Sequence, residues 1–386
     1  MSQPIRIPDA AVLFTPESKK TPPHDPGETP LASQLSTANA SALELKMHRG
    51  AQTPLQFSGT TGELRALREG AGIFDLGYRS FLRATGKDRV RWLNGMITQA
   101  VKSMTPGQVG YTLVLNPQGR IQGDGDVLCF DDYLVLETDR AQSERLLTHL
   151  RRYIIMDDVK LEELDASTTA IGIAGPDSGA ILQKLGAHLP EPGTFRASAL
   201  AGIEVTLVHL WSPVVTKFEI HVPAQQVWGL WNALAAAGAT PCGITATENL
   251  RILEGTPQYD VDFSDKHLPQ ETNLDRALNF TKGCYIGQEI VERIRARATV
   301  HRSLRQFELQ GEAPNPGPGE KIEVRAGDAA VGELTSVARI DLAGFSKTLA
   351  LGVARIEALE KSATEPIRYE GGVAVPLTAT PVLGTA

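Results

Sequence analysis

Residues 281–292 read TKGCYIGQEIVE and set a thiol between Lys282-Gly283 and Tyr285, with a further glycine at 287. The following GQEIVERIRARA has the composition of a helix start, with Gln288 and Glu289 in its first turn. A helix N-terminus and a neighbouring ammonium both favour a thiolate. Cys284 could thus be drawn below the usual thiol pKa of about 8.5 and act as nucleophile, redox partner or transient metal ligand. Lys282 and Tyr285 complete this candidate catalytic group. The competing reading makes Cys284 a small apolar residue in a tight turn, with Gly283 and Gly287 serving backbone geometry. Cys129, in the apolar DVLCFDD strand, and Cys242, in a turn, read as structural.

Two further groups could bind rather than react. GRIQGDGDV places Asp124 and Asp126 among glycines past a turn, where they could accept hydrogen bonds from a polar heterocycle or simply be exposed turn residues. Glu289, Arg293 and Arg297 recur at four-residue spacing, with Arg295, His301 and Arg302 nearby. That pattern is a solvated ion-pair ladder or, alternatively, an anion or RNA-phosphate patch. No P-loop, GxGxxG, GxSxG or HExxH pattern is present.

The elements that must position these residues are legible in outline. At 386 residues the chain exceeds the usual size of a single core, so two or three domains are expected. Apolar residues are 42% and charged residues 22%, as in a globular protein. The net charge of -7 and pI near 5.7 argue against a chain built as a nucleic-acid clamp. Three scattered cysteines and no zinc spacing predict no disulfide framework, no metal site and a reducing cytoplasm. Neither a targeting segment nor an apolar run of about 20 residues is visible, so no membrane partner is expected. Residues 1–40, rich in Pro, Ser and Thr, read as a flexible arm. From 41 to 300 strands and helices alternate with hairpins, which predicts α+β layers in two interleaved domains. One helix is expected over AQSERLLTHLRRYIIM. Short strands and Gly/Pro turns from 301 to 386 predict a C-terminal β-barrel.

KGCYIGQEIVERIRARATVHRSL resembles the signature of the YgfZ-type folate-binding proteins, relatives of the glycine-cleavage T protein (aminomethyltransferase). AGIFDLGYRSFLRATGKDRVRWLNGMIT, HLRRYIIMDDVKLEEL and CGITATENLRILEGTPQYDVD are similar to further stretches of that family, from about residue 48 onward. The resemblance implies a three-domain cloverleaf, two α+β domains and one barrel, with tetrahydrofolate or a reduced derivative in a central channel. It places Tyr111, Asp124, Glu219 and Arg251 on folate-contacting positions. It also implies iron-sulfur cluster proteins or assembly factors as client partners.

One departure stands out. T proteins carry two adjacent aspartates where this chain has Gly123-Asp124-Gly125. The broken pair and the K-G-C-Y motif favour a folate-binding factor for iron-sulfur cluster assembly or repair, acting through Cys284 and affecting tRNA modification indirectly. A folate-dependent aminomethyl or methyl transferase is the alternative, and a binding module without chemistry is a third. A single thiolate cannot hold a cluster, which generally takes about four ligands, so any metal contact needs a partner or an external thiol.

Overall fold

The computed structural model describes residues 27–38, 43–164, 167–297, 300–314, 316–317 and 319–379. Most of the arm expected over 1–40, namely 1–26 and 39–40, and the chain end 380–386 lie outside them. The described part of the arm is a packed helix rather than a loose chain. Pro30–Ala38 (α1) buries Leu31, Ala32 and Leu35. Thr29 caps it: its Oγ1 accepts the Ala32 N–H at 3.0 Å, and Pro30 takes the first helical position, where a missing N–H costs nothing. Burial of each leucine contributes about 2 kcal/mol, set against the entropy of ordering the segment.

A hairpin, Leu45–His48 (β1) and Ala51–Pro54 (β2), leads to Thr60–Glu69 (α2), Gly72–Asp75 (β3), Arg79–Thr85 (β4) and Arg89–Met96 (α3). Val109–Leu115 (β5) and Ile121–Cys129 (β6) flank the NPQG turn, followed by Leu134–Asp139 (β7), Arg140–Arg151 (α4) and Lys160–Glu163 (β8). Thr168–Ala174 (β9), Ser178–Lys184 (α5), Phe195–Leu200 (β10), Ile203–Leu210 (β11), Lys217–Pro223 (β12), Val227–Ala237 (α6), Thr240–Pro241 (β13) and Ile244–Leu253 (α7) come next. After Gln288–Arg297 (α8) the chain forms Arg302–Gly311 (β14), Ile322–Ala326 (β15), Ala329–Leu342 (β16), Phe345–Arg355 (β17), Ile356–Lys361 (α9), Ile367–Tyr369 (β18) and Gly372–Pro376 (β19). The α+β class and the C-terminal barrel expected from the sequence are both present.

These elements divide into two compact units. The first is Met1–Leu93, Val101–Gly110 and Gly125–Thr247; the second is Asn94–Ala100, Tyr111–Asp124 and Glu248–Ala386. In the first unit a six-stranded sheet runs β10-β11-β12-β9-β3-β13. Strand β12 alternates: Phe218, Ile220 and Val222 enter the core beneath α1, α5 and α6, which turns Glu219 and His221 to the opposite face. Helix α6 stops where Gly238 adopts φ 118 and returns its N–H to the Leu234 and Ala235 carbonyls. The order β5-β6-β7-β4-β8 makes a second, five-stranded sheet. Its Phe81, Leu128 and Val135 pack with Phe195 and Val208 of the first sheet, so the face carrying Glu219 is covered rather than solvated.

Helix α4 is shorter than its apolar run suggested. It ends at Arg151, and Ile155 and Met156 are 81% and 94% exposed. The chain turns because Asp158 is tied down elsewhere: its N–H donates to Asp88, and its carbonyl lies where a Cβ on Gly86 would stand only 2.1 Å away.

The second unit ends in a closed barrel, β14-β17-β16-β15-β18-β19, with β19 pairing back onto β14. Closure leaves no open sheet edge. Phe307, Val324, Leu334 and Ile367 fill its interior. A separate core in the same unit collects Leu113, Leu115 and Ile121 from the β5–β6 hairpin with Tyr259, Phe263 and Tyr285.

Candidate functional site

The KGCY segment is anchored through Lys282, Tyr285 and the residues on either side. The Asn279 side chain accepts the Thr281 and Lys282 N–H groups at 3.0 and 2.9 Å, which starts the turn. The Lys282 ammonium donates to the carbonyls of Asn94, Ile97 and Gln99, each at 2.6 Å. Its three donors are matched to three acceptors where α3 runs out, the negative end of that helix. Lys282 also stands 4.9 Å from the Tyr285 ring centre, in cation–π range. Tyr285 is buried, which pushes its phenol up to about 12; the ring packs, and its hydroxyl is no acid at neutral pH. The Ile286 N–H reaches Gly95 O at 3.0 Å.

Gly287, at φ 80, abuts the NPQG turn. A Cβ there would lie 2.6 Å from Asn116 O, and one on Gly119 would lie 2.9 Å from Ile290. Helix α8 starts against that glycine pair. Gly283, by contrast, has open space around it. Within this framework Cys284 is exposed, whereas Cys129 and Cys242 are buried. Lys282, expected to act on the thiol, is instead committed to backbone carbonyls. The Glu289–Arg293 and Glu292–Arg295 pairs of α8 are solvated ion pairs.

Tyr111 and Asp124 are brought together. Facing each other across the β5–β6 hairpin, they share a 2.6 Å hydrogen bond from the phenol to Oδ2. The Arg276 guanidinium lies 4.0 Å from the Tyr111 ring centre. All three are half-buried. Asp124 and Asp126 belong to strand β6 rather than to a turn, because the alternation of that strand buries Gly123 and Gly125 and keeps the aspartates on its other face.

Arg251 belongs to another network of the second unit. Its Nε donates to Glu248, Nη1 to Thr256 O and Asp262, and Nη2 to Ser336, with Glu248 Oε2 also 2.8 Å from Nη2. All five donors are thereby used inside the protein. In this arrangement Arg251 is a clamp that ties α7 to the barrel.

Glu219 lies in the first unit and is wholly buried. Arg79 Nη2 donates to its Oε1 at 3.0 Å, while Arg79 Nη1 bonds Asp139 at 3.0 Å and Nε stands 3.4 Å from Glu137. Arg49 adds a second contact to Asp139 at 3.3 Å. His221 Nε2 is 3.1 Å from Glu137 and 4.0 Å from Glu219. No oxygen of Glu137 receives an aligned hydrogen bond. Burial and the neighbouring Glu219 therefore push Glu137 up to about 7, against the pull of His221. Burial acts on Glu219 in the same sense but is outweighed by Arg79, so this carboxyl is held down at about 2. Burial opposes the charge on His221 and loses to Glu137, which raises its pKa. Donor atoms of Glu137, Glu219 and His221 lie within 4.8 Å of one another, a spacing that could suit a cation, but the Arg79 guanidinium already supplies the positive charge there.

Arg79, Glu137 and His221 escaped sequence reasoning. Glu137 and His221 showed only charge at period two on strands, the ordinary mark of a solvated face, and Arg79 only a charge at a strand start. Set against a reduced folate, the half-buried Tyr111–Asp124 pair offers an acceptor to an N–H edge, while Glu219 is enclosed, with Oε2 lacking an aligned hydrogen bond, and Arg251 has its donors engaged within the protein.

The GCVT N-terminal domain family matches residues 33–282, well over half of the chain. The chain belongs to that family. The family match includes Tyr111, Asp124, Glu219 and Arg251 and ends at Lys282, so Cys284 and the barrel lie beyond it. This GCVT-family chain is 28% identical over 280 residues to an aminomethyltransferase of Nostoc sp., covering 68% of this chain and 72% of that protein. An aminomethyltransferase of Thermosynechococcus vestitus is 28% identical over 324 residues, 79% of this chain and 85% of that one. Among solved structures, the glycine cleavage system aminomethyltransferase T of Bartonella henselae has a TM-score of 0.78 over 89% of this chain and 94% of that chain; at 16% identity this establishes the shared fold. Among the described residues no helix is long and apolar enough to cross a membrane.

Proposed function

We propose that this GCVT-family chain is a folate-binding factor of the YgfZ type that serves iron-sulfur cluster assembly or repair in the cytoplasm, with any effect on tRNA modification passing through its client enzymes. The observation that carries the reading is the exposed Cys284 on a segment held in place by Lys282 before it and Ile286 and Gly287 after it. A rigid support costs nothing further when the thiol engages a partner, which is the use of preorganisation. Tyr111 and Asp124 take the reduced folate, whose pterin edge supplies N–H donors when bound, and Asp124 accepts them. The names of the curated relatives favour a second reading, aminomethyl transfer, which the single aspartate of Gly123-Asp124-Gly125 argues against.

Complementation of cells lacking the family member separates the two. Cys284→Ser is expected to lose iron-sulfur enzyme activity while its calorimetric Kd for 5-formyltetrahydrofolate stays that of wild type. Asp124→Asn should weaken that Kd about tenfold or more, as for loss of a hydrogen bond to a charged group. Full complementation by Cys284→Ser, together with aminomethyl transfer by the pure protein, would establish the second reading instead.

A further inference from the structure

The Glu219 cluster carries an inference that runs against the role the resemblance gives that residue. Three buried carboxylates, Glu137, Asp139 and Glu219, meet two half-buried guanidinia, Arg79 and Arg49. Asp126, half-buried opposite Glu137 on β6, adds negative charge, and Lys217 at the start of β12 adds positive. His221 closes the group, with the Phe81 ring 4.9 Å away and Thr206 opposite it on β11. Tyr78 faces Arg49 and Arg79. A buried carboxylate that recognises a ligand must have its donors withheld until the ligand brings them, because an enclosed unpaired charge is costly. Here Arg79 brings one from within: its planar fork spans Glu219 Oε1 and Asp139, each at 3.0 Å, and Glu219 keeps no exposed surface, while its Oε2 has no aligned hydrogen bond.

We infer that in this chain Arg79 is an internal substitute for ligand donors, so that Glu219 is a sealed structural residue and not a folate contact. The inference rests on the proposed reading only for the identity of the ligand. The Glu137–His221 pair, 3.1 Å apart, lies against the same group, with His221 Nε2 4.0 Å from Glu219.

A double-mutant cycle on the ligand-free protein tests the seal. Arg79→Met and Glu219→Gln are each expected to lower the urea midpoint, and the double variant to lose clearly less than the sum of the two. Additive losses, or a Glu219→Gln protein as stable as wild type, would overturn the inference. Calorimetry with 5-formyltetrahydrofolate supplies the second arm. Glu219→Gln should keep the Kd within twofold, where Asp124→Asn loses about tenfold. A tenfold loss in natively folded Glu219→Gln refutes the seal even if the Asp124 result stands. No effect of Asp124→Asn refutes the folate reading and leaves the cycle to decide the seal. If Glu219→Gln does not fold, the His221 ring resonance in the wild-type NMR spectrum decides: no shift at ligand saturation supports the seal, and a shift overturns it.

Discussion

Lys282→Met removes an ammonium and keeps its apolar stem. The three hydrogen bonds to Asn94, Ile97 and Gln99 are charge-assisted, and each contributes about 1.5–3 kcal/mol. The cation–π contact with Tyr285 adds about 0.5–1 kcal/mol. The full sum overstates the loss, because Lys282 is half-buried and water can return to the carbonyls. A loss of about 3 kcal/mol remains, equivalent to a roughly 150-fold rise in the open population of the segment. Amide hydrogen exchange at Ile286, whose N–H is held by Gly95 O, reads this directly. Exchange there should accelerate about a hundredfold in Lys282→Met, with a lower urea midpoint. Lys282→Arg should recover less than half of the loss, since a planar fork cannot place three donors around one tetrahedral point. Unchanged protection at Ile286, or full recovery by arginine, would refute the anchoring argument and return Lys282 to the thiol.

Two further outcomes follow from the same geometry. Gly287→Ala combines a left-handed φ with a Cβ 2.6 Å from Asn116 O and should cost about 2–5 kcal/mol in urea unfolding, while Gly283→Ala, in open space, should cost under about 0.5 kcal/mol; equal costs would contradict the close approach of α8 to the NPQG turn. Asp75 is buried, and burial, only partly offset by Thr29 and the Gly77 N–H, raises its pKa from 3.8 to about 6. The native state therefore binds this proton more tightly than the unfolded chain, and the stability it brings is lost as pH rises from about 4 to 6, by about 3 kcal/mol. The stability of Asp75→Asn relative to wild type should rise by that amount between pH 4 and pH 7; parallel profiles would show that Asp75 does not titrate there.

The sequence by itself carried the thiol motif, the α+β alternation, the terminal barrel and the NPQG turn that joins two strands. All of these rest on short-range signals: apolar period, turn residues and a contiguous motif. It also held, unread, the Thr29-Pro30 cap that starts α1 inside the supposed arm. Tertiary structure alone decided the rest. Lys282 finds its carbonyls some 185 residues away in the chain, so no local pattern could redirect it from the cysteine two positions along. Glu219 and His221 alternate with apolar residues as a solvated strand face would, and Glu137 and Asp139 stand two apart at the end of β7. Burial came from the two sheets packing face to face, and with it the need for Arg79 as a counter-charge. A strand's sequence tells which residues share a face; what covers that face is set by sheet order and packing, and the charge state of Glu137 and Glu219 follows from that cover.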